Sequence, residues 1–181
     1  MSRIAIPARE DTLEATRPML DAVEKQLGVV PNLFRLVGLS PAALQGMLGL
    51  SGALSKALDV KTRERIALAV AQVNGCDYCL SAHTYLGLNL AKLDGAEIAM
   101  NRRGASSDPK AHAAVRFAAT VAETRGKVTD VDLQAVRMAG FSDAQIVEIV
   151  SLVAENVLTN FINNVARTDI DFPVVLAAEA A

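Results

Sequence analysis

The chain has 181 residues, of which 51% are apolar and only 4% aromatic, with no tryptophan and a formal net charge of −2. Charges of both signs are spread along it, which excludes the basic footprint of a nucleic-acid binder or of a protein held to an anionic membrane. A chain of this length buries a core of its own, so one domain over residues 16–181 is expected, preceded by a loosely ordered arm over residues 1–15.

The opening residues, MSRIAIPARED, lack the apolar run of a secretory signal, so the expected location is the cytoplasm. A first helix is expected over Arg17–Leu27, with Thr16 as its cap, Pro18 in its first turn and Gly28 just past its end. Leu33–Val37 reads as a single helical turn. Leu36 to Ser55 runs twenty residues without a charge, long enough to raise the question of a membrane span. Pro41, Gln45, four glycines and three serines interrupt it, and it reads instead as a buried helix starting at Ser40-Pro41. Gly46, Gly49 and Gly52 recur at every third position there, which predicts the close approach of another helix.

Asp59 can cap a helix over Val60–Asn74 that Gly75 ends, and a short helix Asp77–Leu86 follows, closed by Gly87. Further helices are expected over Leu90–Arg102, from Asp108-Pro109 to Arg125, and from Thr129 to Ala139. Ser142 and Gln145 form a capping box before a long helix that is apolar on most of its circumference up to Asn160, Asn163 and Asn164. Such a helix is buried in the domain or at a subunit interface. No run alternates with period two, so the chain reads as all-α: a helical bundle of about seven to nine helices, oligomeric.

Arg63 to Gly87 holds both cysteines and one of the two histidines. Cys76, Cys79 and His83 stand at i, i+3 and i+7, on one helical face. Cys76 sits at a helix N-terminus, where the macrodipole favours a thiolate, while Cys79 has His83 one turn later. Glu64 lies on the preceding helix, and antiparallel packing across Gly75 brings it back toward His83. A carboxylate that orients an imidazole, which in turn deprotonates a thiol, is a general-base arrangement for a nucleophilic cysteine. Two thiols in C-x-x-C suit peroxide reduction or dithiol–disulfide exchange. The absence of a βαβ pattern argues against a thioredoxin-like domain.

Glu64, eleven residues, Cys76, Asp77-Tyr78, Cys79, three residues and His83 resemble the E-x11-C-x2-C-x3-H signature of the alkyl hydroperoxidase D-like proteins, in the carboxymuconolactone decarboxylase superfamily. Gly75-Cys76 and the stretch Gly140 to Ile146 resemble family segments too, and the likeness covers about residues 20–170. The resemblance implies an all-helical bundle of the alkyl hydroperoxidase D-like type, assembled as a trimer or hexamer, with antioxidant peroxidase activity and no cofactor. Carried over by position, Cys79 is the peroxidatic thiol, Cys76 the resolving one, and Glu64 with His83 the proton relay. A hydroperoxide is the implied substrate, and a lipoyl-bearing or thioredoxin-like protein the dithiol reductant. Tyr78 departs from alkyl hydroperoxidase D itself, which has a relay histidine there; tyrosine, with an ordinary pKa of about 10, is a poor proton shuttle.

Two other readings stand beside this one. Cys76, Cys79, His83 and His112 are four residues of zinc-ligand type, although nothing in the sequence links His112 to the other three, so no metal is assigned. A decarboxylase-type reaction of the same superfamily does not obviously need two cysteines. By itself Glu64 reads as a solvated first-turn carboxylate, His112 as a surface or packing histidine, and the three asparagines as partners for backbone or interface groups.

Overall fold

The structure, a computed structural model, describes residues 1–179. Side-chain caps fix where most of the helices begin. Ser40, Asp59, Asp94, Asp108, Thr129 and Ser142 each accept a hydrogen bond from the backbone N–H three residues on. These caps open α3 (Pro41–Leu54), α4 (Val60–Val73), α6 (Gly95–Arg102), α7 (Pro109–Thr124), α8 (Asp130–Met138) and α9 (Asp143–Ala166). α1 (Arg17–Leu27), α2 (Asn32–Val37) and α5 (Asp77–Asn89) complete nine α-helices among the described residues, with no strand. The all-α expectation is met.

α4 is the axis of the bundle and packs against α5, α6, α7 and α9. Its Ile66, Leu68 and Val70 are fully buried, each contributing roughly 1.5–3 kcal/mol of apolar burial. One cluster joins Ile66 and Val70 to Phe117 of α7 and to Ile149 and Leu152 of α9. A second joins Leu68 to Cys76, Tyr78, Cys79 and Leu80, so the reactive stretch is itself part of the core.

Several elements differ from the expected ones. Thr16 is helical and does not cap α1; its hydroxyl donates to the Leu13 carbonyl. Gly87 does not end α5 but lies inside it, and a Cβ there would meet Ile98 and Leu93 at 3.5 and 3.6 Å. The chain from Leu90 to Asp94 is not helical: Lys92 takes a φ of 54°, and α6 starts only where Asp94 supplies a cap. Gly46, Gly49 and Gly52 have nothing near the place of a side chain, so no helix of this chain approaches them. α3 is 14 residues long, short of the ~20 that span a bilayer, and is buried only along Leu44, Met47 and Leu54.

α9 is the one helix among the described residues long and apolar enough to cross a membrane. It instead packs against α3, α4, α5 and α7, and points Ile149, Leu152, Asn156, Asn160 and Asn163 inward. Its burial is one-sided, however: Val147, Phe161 and Val165 are 65, 55 and 65% exposed. The arm before residue 16 has short 3-10 turns at Arg9–Asp11 and Glu14–Thr16 and runs against the opposite terminus, the Arg3 N–H donating to the Ala166 carbonyl at 2.6 Å.

Beyond α9 the chain lies as a strap along α5. The Val175 N–H donates to Ser81 Oγ at 2.9 Å and the Ala177 N–H to Asp77 Oδ1 at 2.8 Å. Gln72 and Arg102 reach the carbonyls of Ala177 and Leu176 at 2.9 and 2.8 Å.

A buried carboxylate ties α6 to the rest. Glu97, 5% exposed, accepts from Arg65 Nε at 2.9 Å and from Ser106, Ser107 and Asn101. Burial alone pushes its pKa up, but the hydrogen bonds from Ser106, Ser107 and Asn101 outweigh this and hold it at about 2. The depressed pKa means its contribution to stability is complete above the unfolded value of 4.5 and is lost as pH falls toward 2. Glu97→Ala leaves the partly buried Arg65 and the buried Ser106 and Asn101 without their partner and will cost roughly 3 kcal/mol, read as a lower urea midpoint at pH 7. A midpoint within error of the parent's contradicts this account.

Candidate active site

The α4–α5 junction builds the site. Gly75 takes a φ of 60°, which turns the chain so that Cys76 becomes the N-cap of α5. Cys76 Sγ accepts from the Cys79 N–H at 3.3 Å, which locks the two sulfurs on the first turn. One turn on, His83 reaches back across the antiparallel pair, and its Nδ1 lies 2.8 Å from Glu64 Oε2. The structure therefore brings Glu64, His83, Cys79 and Cys76 together. With Nδ1 engaged by Glu64, Nε2 is the ring nitrogen left for the thiols and the cleft.

α9 adds a residue for which sequence reasoning had foreseen only structural hydrogen bonds. Asn163 Nδ2 donates to Cys79 Sγ at 3.2 Å. Its neighbours bond toward Asn74: Asn160 Oδ1 accepts from the Asn74 side chain and Asn164 Nδ2 donates to the Asn74 carbonyl, at 2.8 and 2.9 Å, and the Asn160 amide also favours charge on Cys79. The spacing of Asn163 from Asn156 and Asn160, on the inward face of α9, was the available signal.

Electrostatics separate the two thiols. A hydrogen bond from the Cys76 thiol is the largest influence on Cys79; with the positive charge of His83 and the Asn163 amide it overcomes burial and brings the pKa from 9.0 down to about 6. The same shared proton, with burial, pushes Cys76 up. Against the helix dipole, which favours charge on Cys76, stand the complete burial of Cys76 and the positive charge of His83 acting on Cys79. Burial works against charge on His83, yet the Glu64 carboxylate outweighs it and raises the imidazole's pKa.

The Tyr78 hydroxyl is engaged away from Glu64 and His83. Burial pushes its phenol up, and its hydroxyl donates to Asp171 Oδ1 at 2.8 Å while accepting from the Leu33 N–H at 3.1 Å. It therefore holds the C-terminal strap and the start of α2 against α5. His112 is on α7, exposed, and accepts from the Ser106 N–H at 3.3 Å. No group of three or more His, Cys, Asp or Glu placed to hold a metal occurs among the described residues.

A cleft of about 550 Å³ opens above Cys79 and His83, walled by α1–α3, α9 and the strap. Asn163→Leu, which removes the amide donor from the thiolate, will slow Cys79 alkylation by iodoacetamide at pH 7 by roughly tenfold and move its inflection to higher pH. An unchanged rate removes Asn163 from the site.

The sequence model of the carboxymuconolactone decarboxylase family matches residues 41–120, the segment that carries Glu64, both cysteines and His83. A peroxidase-related protein from Ralstonia eutropha JMP134, described as an alkylhydroperoxidase AhpD core, superposes with a TM-score of 0.81 at 27% identity, covering 94% of this chain and 92% of its own. Residues 41–120 therefore carry the sequence pattern of the carboxymuconolactone decarboxylase family, on an alkyl hydroperoxidase D-like fold. Other structures share the fold of this AhpD-like chain at lower identity. A peroxidase-related protein from Silicibacter sp. TM1040 has a TM-score of 0.79 at 24% identity, covering 93% of this chain and 91% of its own. The debrominase Bmp8, in complex with 2,3,4-tribromopyrrole, has a TM-score of 0.79 at 18% identity and 94% coverage of both chains. No curated protein matches by sequence.

Proposed function

We propose that this AhpD-like chain is a thiol-dependent peroxidase that reduces hydroperoxides and is recycled by a dithiol. One observation carries the reading: the Cys79 thiol stands one turn from an imidazole paired with a carboxylate at 2.8 Å, with a second thiol on the same first turn of α5.

Each step follows from those groups. The Cys79 thiolate attacks the outer oxygen of ROOH, the O–O bond breaks, and the leaving RO⁻ takes a proton from His83, giving ROH and a Cys79 sulfenic acid. Glu64 holds the imidazolium for that transfer. The Cys76 thiol then displaces water from the sulfenic acid and closes a disulfide. A dithiol reductant, of lipoyl or thioredoxin type, exchanges with the disulfide and restores both thiols. A cytoplasmic setting, where thiols are kept reduced, suits this cycle.

The exposed flank of α9, with Val147, Leu158, Phe161 and Val165, fits a homo-oligomer, a trimer or hexamer, in which a second copy covers it. The test is a titration. Reduced protein mixed with a hydroperoxide loses two thiols per chain, consumes about one peroxide and forms the Cys76–Cys79 disulfide. Free-thiol counts that do not change defeat the reading. Full activity of a Cys79→Ser protein on a lactone acid supports a decarboxylase instead, and one zinc per chain in protein purified without chelator supports a metal module.

A further inference from the structure

The chain has five phenylalanines and two tyrosines, and four of these seven aromatic residues, Phe34, Tyr78, Tyr85 and Phe172, line the cleft above Cys79. In a chain so poor in aromatics this is a marked concentration. On α5 two ridges run side by side. Cys79 and His83 form the reactive one, and Tyr78, Ala82 and Tyr85 form the other. The strap lays Phe172 across the second ridge, edge-on to Tyr78 and tilted against Tyr85, with ring centroids 5.9 Å apart in both pairs. Asp171 pins it there, accepting from the Tyr78 hydroxyl at 2.8 Å and from the Asn32 N–H at 2.7 Å. Phe172 and Phe34 are partly exposed, so their rings retain open surface toward the cleft.

Most charged groups on the wall have partners within the chain. Arg63 donates to the carbonyls of Ser55 and Leu58, Glu64 holds His83, and Asp171 holds Tyr78. Apart from His83, Arg63 is the one cation among the lining residues, and three carboxylates, Glu64, Glu155 and Asp171, share the wall with it, so the cleft disfavours an anionic substrate. The remaining surface is apolar, with Leu27, Leu33, Met47, Leu48, Leu86 and Leu152.

We propose that this cleft selects an uncharged hydroperoxide bearing an aromatic ring, and that Phe172 of the C-terminal strap is the residue that makes the selection. The inference rests on the peroxidase reading. The ring lies against Phe172 and Tyr85, and this places the peroxide over the neighbouring ridge, at Cys79. The chemistry is the balanced step given above: the thiolate takes one oxygen, and the aromatic alcohol leaves with the proton from His83.

Initial rates of thiol oxidation with cumene hydroperoxide, tert-butyl hydroperoxide and hydrogen peroxide test it, together with the binding of unreactive 2-phenyl-2-propanol and tert-butanol to the reduced protein by NMR. The expected kcat/KM for cumene hydroperoxide exceeds that for tert-butyl hydroperoxide by roughly tenfold or more, as a stacked ring contact allows. Phe172→Ala and Phe172→Leu bring this ratio close to one through KM, and Phe172→Tyr restores it. Leucine keeps bulk without a ring, so its failure identifies the ring as the cause. Equal kcat/KM values in the parent protein, or a ratio that survives Phe172→Leu in folded protein, overturn the proposal. If no hydroperoxide oxidises the thiols, the peroxidase reading falls. Ring recognition is then decided by the alcohols: tighter binding of 2-phenyl-2-propanol sustains it, and equal binding ends it.

Discussion

A Cys79→Ser protein will consume no hydroperoxide, whereas a Cys76→Ser protein will consume about one equivalent and stop with a sulfenic acid on Cys79, trapped by dimedone. The contrast follows from the shared proton. Interaction between the two thiols and burial push Cys76 up, while the same interaction, the positive charge of His83 and the Asn163 amide draw Cys79 down, so the negative charge is favoured on Cys79. Cys76→Ala separates that electrostatic role from the resolving one. Alanine removes the donor that contributes most to lowering the Cys79 pKa, while serine retains a hydroxyl donor of similar reach. The first oxidation at pH 6 will therefore be slower in Cys76→Ala than in Cys76→Ser, by roughly tenfold if the lost hydrogen bond to the thiolate is worth about 1.5 kcal/mol. Equal rates in the two variants mean that the donor does not set the reactivity, and a Cys79→Ser protein that still turns over peroxide removes Cys79 as nucleophile.

Glu64→Gln will slow oxidation of Cys79 at pH 7 by roughly 10- to 100-fold, within the range that a positioned proton-transfer group supplies. Glutamine keeps an oxygen within reach of His83 Nδ1 but loses the charge. The Glu64 carboxylate is what raises the imidazole's pKa against the opposing effect of burial. In the parent protein the rate rises with pH through about 6 as the thiolate forms, then falls where the imidazolium gives up its proton. Because the His83 pKa is raised, its protonated form persists to higher pH. Removing the carboxylate shifts the falling limb to lower pH and narrows the profile from its basic side. A profile that keeps its shape in Glu64→Gln excludes a relay through His83.

The placement of Tyr78 changes how its departure from the alkyl hydroperoxidase D pattern is understood. As a proton carrier it would be a poor substitute for histidine. In the structure it is a buried post, 4% exposed, whose hydroxyl joins Asp171 of the strap to the N–H of Leu33. The proposed relay then needs only Glu64, His83 and the two thiols, and Tyr78, between the thiols, serves the cleft wall.

Much of the fold was legible because it is set by local rules. Ser40, Asp59, Asp108, Thr129 and Ser142 cap the helices they were expected to cap, and a cap acts on N–H groups only three residues away. Where a neighbouring element decides, local reading failed. Gly87 has the chemistry of a helix stop, yet α5 continues through it, because a small residue there admits the side chains of Leu93 and Ile98. The apolar circumference of α9 placed it in the domain or at a subunit interface, and which surfaces the chain itself covers depended on packing: the face toward α3, α4, α5 and α7 is covered, while Val147, Phe161 and Val165 stay exposed.

The sequence by itself determined the pairing of Glu64 with His83 and the placing of both cysteines on one face of α5. Those residues lie within two helices joined by a single turn, so helical periodicity and the Gly75 reversal suffice to bring them together. Only the tertiary structure decided that Asn163 lies against Cys79 and that Asp171 and Phe172 wall the cleft. These partners are 84 to 93 positions from Cys79 or Tyr78 in the chain. No periodicity spans such a gap, and the packing of α9 and the strap against α5 is what brings the groups together.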